Sequence, residues 1–160
     1  MKKLGTIVRD SVTGLKGMLT HIQTEMSGDQ FYVFQPEGLD KKTLLPLDRM
    51  WVVEDRIEDG EDIEMPDHIN EKMDVLGTEV EDKASGFKGI AIAAIYHMNG
   101  CLHIDVQPKG TNPDTGKIIE RVNFDIRRLK GKFIEEETEE EVKYSEVKFP
   151  SPAPFTPHMR

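Results

Sequence analysis

Five histidines (His21, His68, His97, His103 and His158), one cysteine (Cys101) and two lysine-bearing Gly-x-x-Gly segments are the residues of this chain best suited to chemistry. A metal centre needs ligands that converge, and His-x-x-x-His or Cys-x-x-Cys spacing supplies convergence on a single element. Neither spacing occurs. Strand alternation places His97 and His103 on opposite faces of a hairpin, which separates them further. Cys101 has no adjacent cationic pair to favour a thiolate, so it reads as a small buried hydrophobe. Gly14-Leu15-Lys16-Gly17 and Gly86-Phe87-Lys88-Gly89 precede strands rather than a helix, so they are turns and not phosphate cradles. Glu135 to Glu141 lacks the alternation of a calcium loop. No catalytic residue, metal or cofactor is expected, and the chain is not expected to be an enzyme.

Polar residues that occur twice carry more information. Gly5-Thr6-Ile7-Val8-Arg9-Asp10 matches Gly77-Thr78-Glu79-Val80-Glu81-Asp82, and the register then holds without a gap from Leu4 to Ile57 at a displacement of 72 positions. Asp10 falls on Asp82, Gln35-Pro36 on Gln107-Pro108, Arg49 on Arg121 and Arg56 on Arg128. The two aspartates precede the Gly-rich turn, where they are expected to accept backbone N–H bonds, with Arg56 and Arg128 as ion-pair partners. Arg49 and Arg121 are the candidate anion ligands, because a guanidinium fork suits phosphate or carboxylate, and Gln35 and Gln107 are the accompanying binding candidates.

These residues need elements to hold them, and the pattern within each repeat is β. A glycine-punctuated turn leads into a long strand from Met18 to Met26, a tight turn at Ser27-Gly28 and a return strand from Gln30 to Gln35. The second copy has its turn at Asn99-Gly100, and pairing Met98 with Cys101 across it gives a type I′ hairpin. Proline ends the return strand, a polar loop follows, and a last strand runs Met50 to Val53 or Val122 to Ile126. With that register both faces of the second hairpin are mostly apolar. Ile95, Leu102, Ile104 and Val106 are therefore assigned to an interface, with the first repeat or with another chain, and a ligand groove is the remaining alternative.

The resulting organisation is a first small β-barrel repeat over residues 1–57, an acidic linker over 58–75 with a helical turn near His68 to Met73, a second barrel over 76–131, and an acidic, Pro-rich tail over 132–160. Units of roughly 55 residues lie near the lower limit for independent folding, so mutual packing is expected. Tyr144, Phe149 and Phe155 are spaced as apolar anchors that would dock the tail, from about Val142 onward, along an open barrel edge.

Five short strands with one long hairpin resemble the small SH3-like barrels, including the KOW type. Gly77-Thr78-x-Val80-x-Asp82, Ser85-Gly86-Phe87-x-Gly89, Asn99-Gly100-Cys101 and Val106-Gln107-Pro108 together resemble a group of short tailed-bacteriophage proteins. Phe124-Asp125 keeps that group's aromatic-acidic pair, and Val52-Val53 departs from it. The resemblance implies a phage origin and no particular activity. Net charge is −9, which argues against a nucleic-acid partner, since phosphate affinity comes from clustered Lys and Arg. No apolar run approaches the roughly 20 residues that span a bilayer, and no apolar signal core follows Met1-Lys2-Lys3. The expectation is an all-β, non-enzymatic phage protein in the bacterial host cytoplasm or the virion, acting by protein–protein contact, virion association or self-assembly into a homo-oligomer. The alternative is a soluble host-takeover or anti-defence factor that blocks a host protein or sequesters a small nucleotide.

Overall fold

A computed structural model describes residues 1–134. The expectations for Tyr144, Phe149, Phe155 and the docking tail lie outside the described residues. Within them the protein is an antiparallel all-β structure. The first repeat contains β1 (Ile7–Asp10), β2 (Lys16–Glu25), β3 (Gln30–Pro36), β4 (Met50–Val52) and β5 (Ile57–Glu58). The short α1 (Asp67–Asn70) and a 3-10 turn (Glu71–Val75) follow, then β6 (Glu79–Asp82), β7 (Lys88–His97), β8 (Leu102–Gln107), β9 (Val122–Asp125) and β10 (Leu129–Gly131).

The 72-residue displacement read from the sequence holds through every ladder. Val8 opposes Gly17 as Val80 opposes Gly89, Leu19 opposes Phe34 as Ala91 opposes Val106, and Tyr32 opposes Val52 as Ile104 opposes Phe124. Each repeat has the strand order last–first–second–third–fourth, because β5 returns to β1 and β10 to β6. Gly17 and Gly89 permit that order. A methyl group at either would collide with the facing carbonyl oxygen, of Gln35 or Gln107, and with a side chain of the return strand. Only a bare backbone fits where these two strands approach so closely.

The repeats are not separate sheets. β2 pairs antiparallel with β7 and merges them into one ten-stranded sheet. His21 opposes His97, Ile22 opposes Tyr96, Gln23 opposes Ile95, Thr24 opposes Ala94 and Glu25 opposes Ala93. Shifted by one repeat, His21–His97 becomes Glu25–Ala93, Ile22–Tyr96 becomes Thr24–Ala94, and Gln23–Ile95 becomes itself. This is the arrangement of a two-fold symmetric dimer interface, realised inside one chain about an axis at Gln23 and Ile95. The flanking bonds obey the same symmetry, since Met26 N–H donates to the Ile92 carbonyl and Met98 N–H to that of Thr20.

Two cores lie beneath this sheet. Val8, Leu19, Ile22, Tyr32, Phe34, Val52 and Ile57 form the first, and Val80, Ala91, Ala94, Ile104, Val106 and Leu129 are central to the second. Tyr96 packs against both. The expected linker is only partly solvated, because Ile69 and Val75 are buried in the second core. Its opening residues bind the N-terminus: Lys3 N–H donates to the Glu61 carbonyl, and Ile63 N–H to that of Met1.

The second hairpin departs from its expected register. Tyr96, not Met98, is opposite a strand residue, Leu102, and His97 N–H donates to the Cys101 carbonyl across a three-residue turn. A bulge at Ile92, matched by one at Thr20, then reverses the alternation. Ala94 and Tyr96 therefore share the core face with Leu102, Ile104 and Val106. The opposite face carries Ala93, Ile95, His97, His103 and Asp105, and is far more polar than expected.

Candidate functional site

The twice-occurring aspartates each accept bonds from an arginine, a turn N–H and a turn hydroxyl. Asp10 is 1% exposed and Asp82 fully buried. Each begins a turn that returns N–H bonds to it: Thr13 N–H donates to Asp10 Oδ2 at 3.0 Å, and Ser85 N–H to Asp82 Oδ2 at 2.9 Å. Arg56 closes a bidentate pair with Asp10 at 2.8 and 2.7 Å, and Arg128 with Asp82 at 3.0 and 2.8 Å. The guanidinium bonds outweigh burial and hold both carboxyls well below the usual carboxylate range. These pairs tie the first turn of each repeat to its closing strand, as their spacing in the sequence suggests.

The duplicated glutamines are used in the same way. Gln35 donates from Nε2 to the Leu47 carbonyl at 2.7 Å, and Gln107 to that of Ile119 at 2.6 Å. Both pin the long loop before the fourth strand. Of the candidate interface residues, Leu102, Ile104 and Val106 lie in the core of the second repeat, and Ile95 stands at the axis between repeats. Arg49 and Arg121 differ from each other. Arg121 Nε lies 3.3 Å from the Asp105 carboxylate. The position equivalent to Asp105 in the first repeat is Val33, and Arg49 has no hydrogen bond or ion pair among the described residues.

Chemistry-bearing side chains converge instead on the outer face of the β2–β7 junction, in three rows that run across the strands. One row reads Trp51, Val33, His21, His97. The next reads Phe31, Gln23, Ile95, His103, Asp125, and the third Glu25, Ala93, Asp105, Asn123. The His97 ring centroid is 4.9 Å from those of both His21 and His103, and His21 meets Trp51 edge-on at 6.0 Å. The expectation that alternation separates His97 from His103 is thus overturned. With the observed turn they are diagonal neighbours on one face, and pairing of β2 with β7 adds His21 from the other repeat.

Burial pushes the His21 imidazole down to about 4, and the positive charges of His97 and Arg49 act in the same direction. His97 is lowered by burial and then by His103. His21 Nδ1 faces Thr20 Oγ1 at 3.1 Å. The His103 Nδ1–H donates to Asn123 Oδ1 at 2.7 Å, whose amide donates on to Asp105 Oδ1 at 2.8 Å. Neighbouring Asp125 is held near 2 chiefly by its bonds from Arg127. The face is polarised as a result. Its Trp51–His21–His97 end has the Arg49 cation and two imidazoles, and its other end has Asp105 and Asp125 paired with Arg121 and Arg127.

At neutral pH the His21 and His97 imidazoles are uncharged and offer hydrogen bonds, and in acid His21 gains charge beside Arg49. Among the described residues no group of three or more His, Cys, Asp or Glu is spaced to hold a metal ion. Cys101 is partly exposed at the hairpin turn. An inspection of local motifs misses this cluster, because its members come from three strands and two repeats. The signal that could find it is the symmetric pairing about Gln23 and Ile95, which the repeat register allows but does not require. Comparison of the chain with protein-family models, curated proteins and solved structures gives no match.

Proposed function

We propose that this chain is a non-enzymatic, bacteriophage-type protein that acts by protein–protein contact, as a virion-associated structural or accessory component built from two SH3-like barrels. The five-strand order of each repeat, closed by a short last strand on the first, supports the barrel reading, and the sequence resemblance supports the phage one. The observation that carries the contact reading is Leu44. It is 71% exposed and has φ +57, a left-handed conformation, where the other repeat places Gly116 at φ +67. A non-glycine residue in that region costs about 1–2 kcal/mol, and no burial of the side chain offsets it. Leu39 and Leu45 beside it, and Ile118 on the equivalent loop, are also exposed. Exposed aliphatic side chains gathered at these loop tips support a surface that a partner covers.

Replacing Leu44 with Gly relaxes the backbone and removes the contact, so this variant is expected to be as stable as the parent or up to about 1 kcal/mol more stable, yet to bind its partner less well. Mass spectrometry of purified particles tests the virion assignment, and reduced incorporation of Leu44→Gly tests the surface. A particle free of the protein, with the protein soluble in the lysate, favours the second reading, a host-takeover factor. The concentration of negative charge between Glu58 and Asp74, opposed within the segment by Lys72 and from the N-terminus by Lys2 and Lys3 on Asp62 and Glu61, is the feature that suits such a blocking role.

A further inference from the structure

The two-fold relation between repeats exposes an electrostatic vacancy. In the second repeat Arg121 is neutralised by Asp105, and Asp105 is held in place by Asn123. In the first repeat Arg49 keeps the cation, while Val33 and Trp51 stand where Asp105 and Asn123 would be. Val33, apolar and 3% exposed, brings no carboxylate to the position that Asp105 holds in the second repeat. His21 on β2 is the cross-strand neighbour of Val33 and feels the Arg49 charge, His97 on β7 stands next to His21 at 4.9 Å, and His103 on β8 lies beyond it. Glu25, Asp105 and Asp125 belong to the other rows, and the last two are paired with Arg121 and Arg127. Trp51, 53% exposed, forms an apolar wall beside His21.

We propose that Arg49, His21 and His97 form a binding site for an oxyanion, the phosphate or carboxylate group of a ligand, which occupies toward Arg49 the role that Asp105 plays toward Arg121. The guanidinium supplies a permanent charge and planar donors. The imidazoles supply further N–H donors and take up a proton when the anion arrives, because its charge offsets the burial and cationic crowding that otherwise keep His21 neutral. Binding is therefore coupled to protonation and tightens in acid. The site is single, since its symmetric counterpart carries Ala93 for His21 and Glu25 for His97.

Sulfate is the appropriate probe, because it keeps its charge across the pH range in which histidine titrates. The protein has one tryptophan, Trp51, so its fluorescence reports on this site alone. Replacing chloride by sulfate at constant ionic strength is expected to give a saturable change in Trp51 emission, stronger at pH 5 than at pH 7. It is also expected to raise the NMR titration midpoint of His21 by about one pH unit. Arg49→Ala, at an exposed position, should lose both responses, and Arg49→Lys should keep a weaker one. A His21 midpoint that is the same in chloride and sulfate, or a sulfate response undiminished in Arg49→Ala, overturns the proposal. Glycerol phosphate and acetate then separate the sources: a tighter response to the first identifies a phosphate-bearing ligand, and to the second a carboxylate-bearing one.

Discussion

At the residue scale, the Asp–Arg pairs and glutamines common to both repeats serve the fold, while Arg49, also common to both, differs from Arg121 through neighbours found in only one repeat. Asp10 with Arg56 and Asp82 with Arg128 are buried carboxylates satisfied by a guanidinium and by turn N–H groups. Replacing the carboxylate loses two guanidinium bonds and the turn N–H bonds at a buried position, while the arginine left behind, 32% exposed at Arg56 and 52% at Arg128, is partly solvated. Asp10→Asn and Asp82→Asn should each lower the melting temperature by roughly 5–15 °C, measured by calorimetry. A loss under a degree would mean that the amide and water satisfy the arginine and the turn N–H groups as well as the carboxylate does. His21 acts with the same pH sign. Its folded value near 4 lies below the ordinary 6.5, so the unfolded chain binds the proton first. Its contribution is complete above about pH 6.5 and is lost as pH falls toward 4. The aspartates, lowered further, lose theirs only below about pH 4. Thermal melts without sulfate should therefore decline from pH 7 to pH 5, and His21→Ala should flatten that part of the profile. An identical decline in the variant would assign it to other groups.

At the element scale, the repeat made much of the fold legible. The turn glycines, the prolines ending β3 and β8 and the Asp–Arg spacing all mark positions where local chemistry decides the backbone, and the strands begin and end beside them. The hairpin register was not legible in the same way. Asn99-Gly100 is compatible with a two-residue or a three-residue turn, and a shift of one position, compounded by the bulge at Ile92, exchanged the faces on which Ala94, Tyr96, Ile95 and His103 lie. That exchange hid the imidazole cluster. Close strand approach at Gly17 and Gly89 gives a sharper test of the elements themselves. Gly17→Ala and Gly89→Ala each force a methyl group into backbone that cannot retreat. Each should destabilise by about 2–4 kcal/mol in denaturant titration, in the range of overpacked or strained sites. Ala at the turn position Gly14, with open space around it, should be penalised only for its positive φ, by about 1 kcal/mol.

At the scale of the whole molecule, the question is whether two small cores behave as one. Each repeat is near the size at which a hydrophobic core alone gives marginal stability, and β2–β7 pairing provides the missing contacts through backbone bonds and through Tyr96, which packs on both cores. The equivalent of Tyr96 in the first repeat is Thr24, so this bridge exists once and is not backed up by symmetry. The intact chain should consequently unfold in a single calorimetric transition, with equal calorimetric and van't Hoff enthalpies. Tyr96→Ala removes apolar contact from both cores at once, at a cost of about 1–3 kcal/mol, while leaving the Asp–Arg locks inside each repeat intact. The loss falls on the coupling between units as well as on either unit, so the variant should separate into two resolvable transitions, the first repeat and the second melting independently. A variant that still melts in one transition, merely at lower temperature, would place the coupling in the backbone ladder between β2 and β7 and not in the shared side chain.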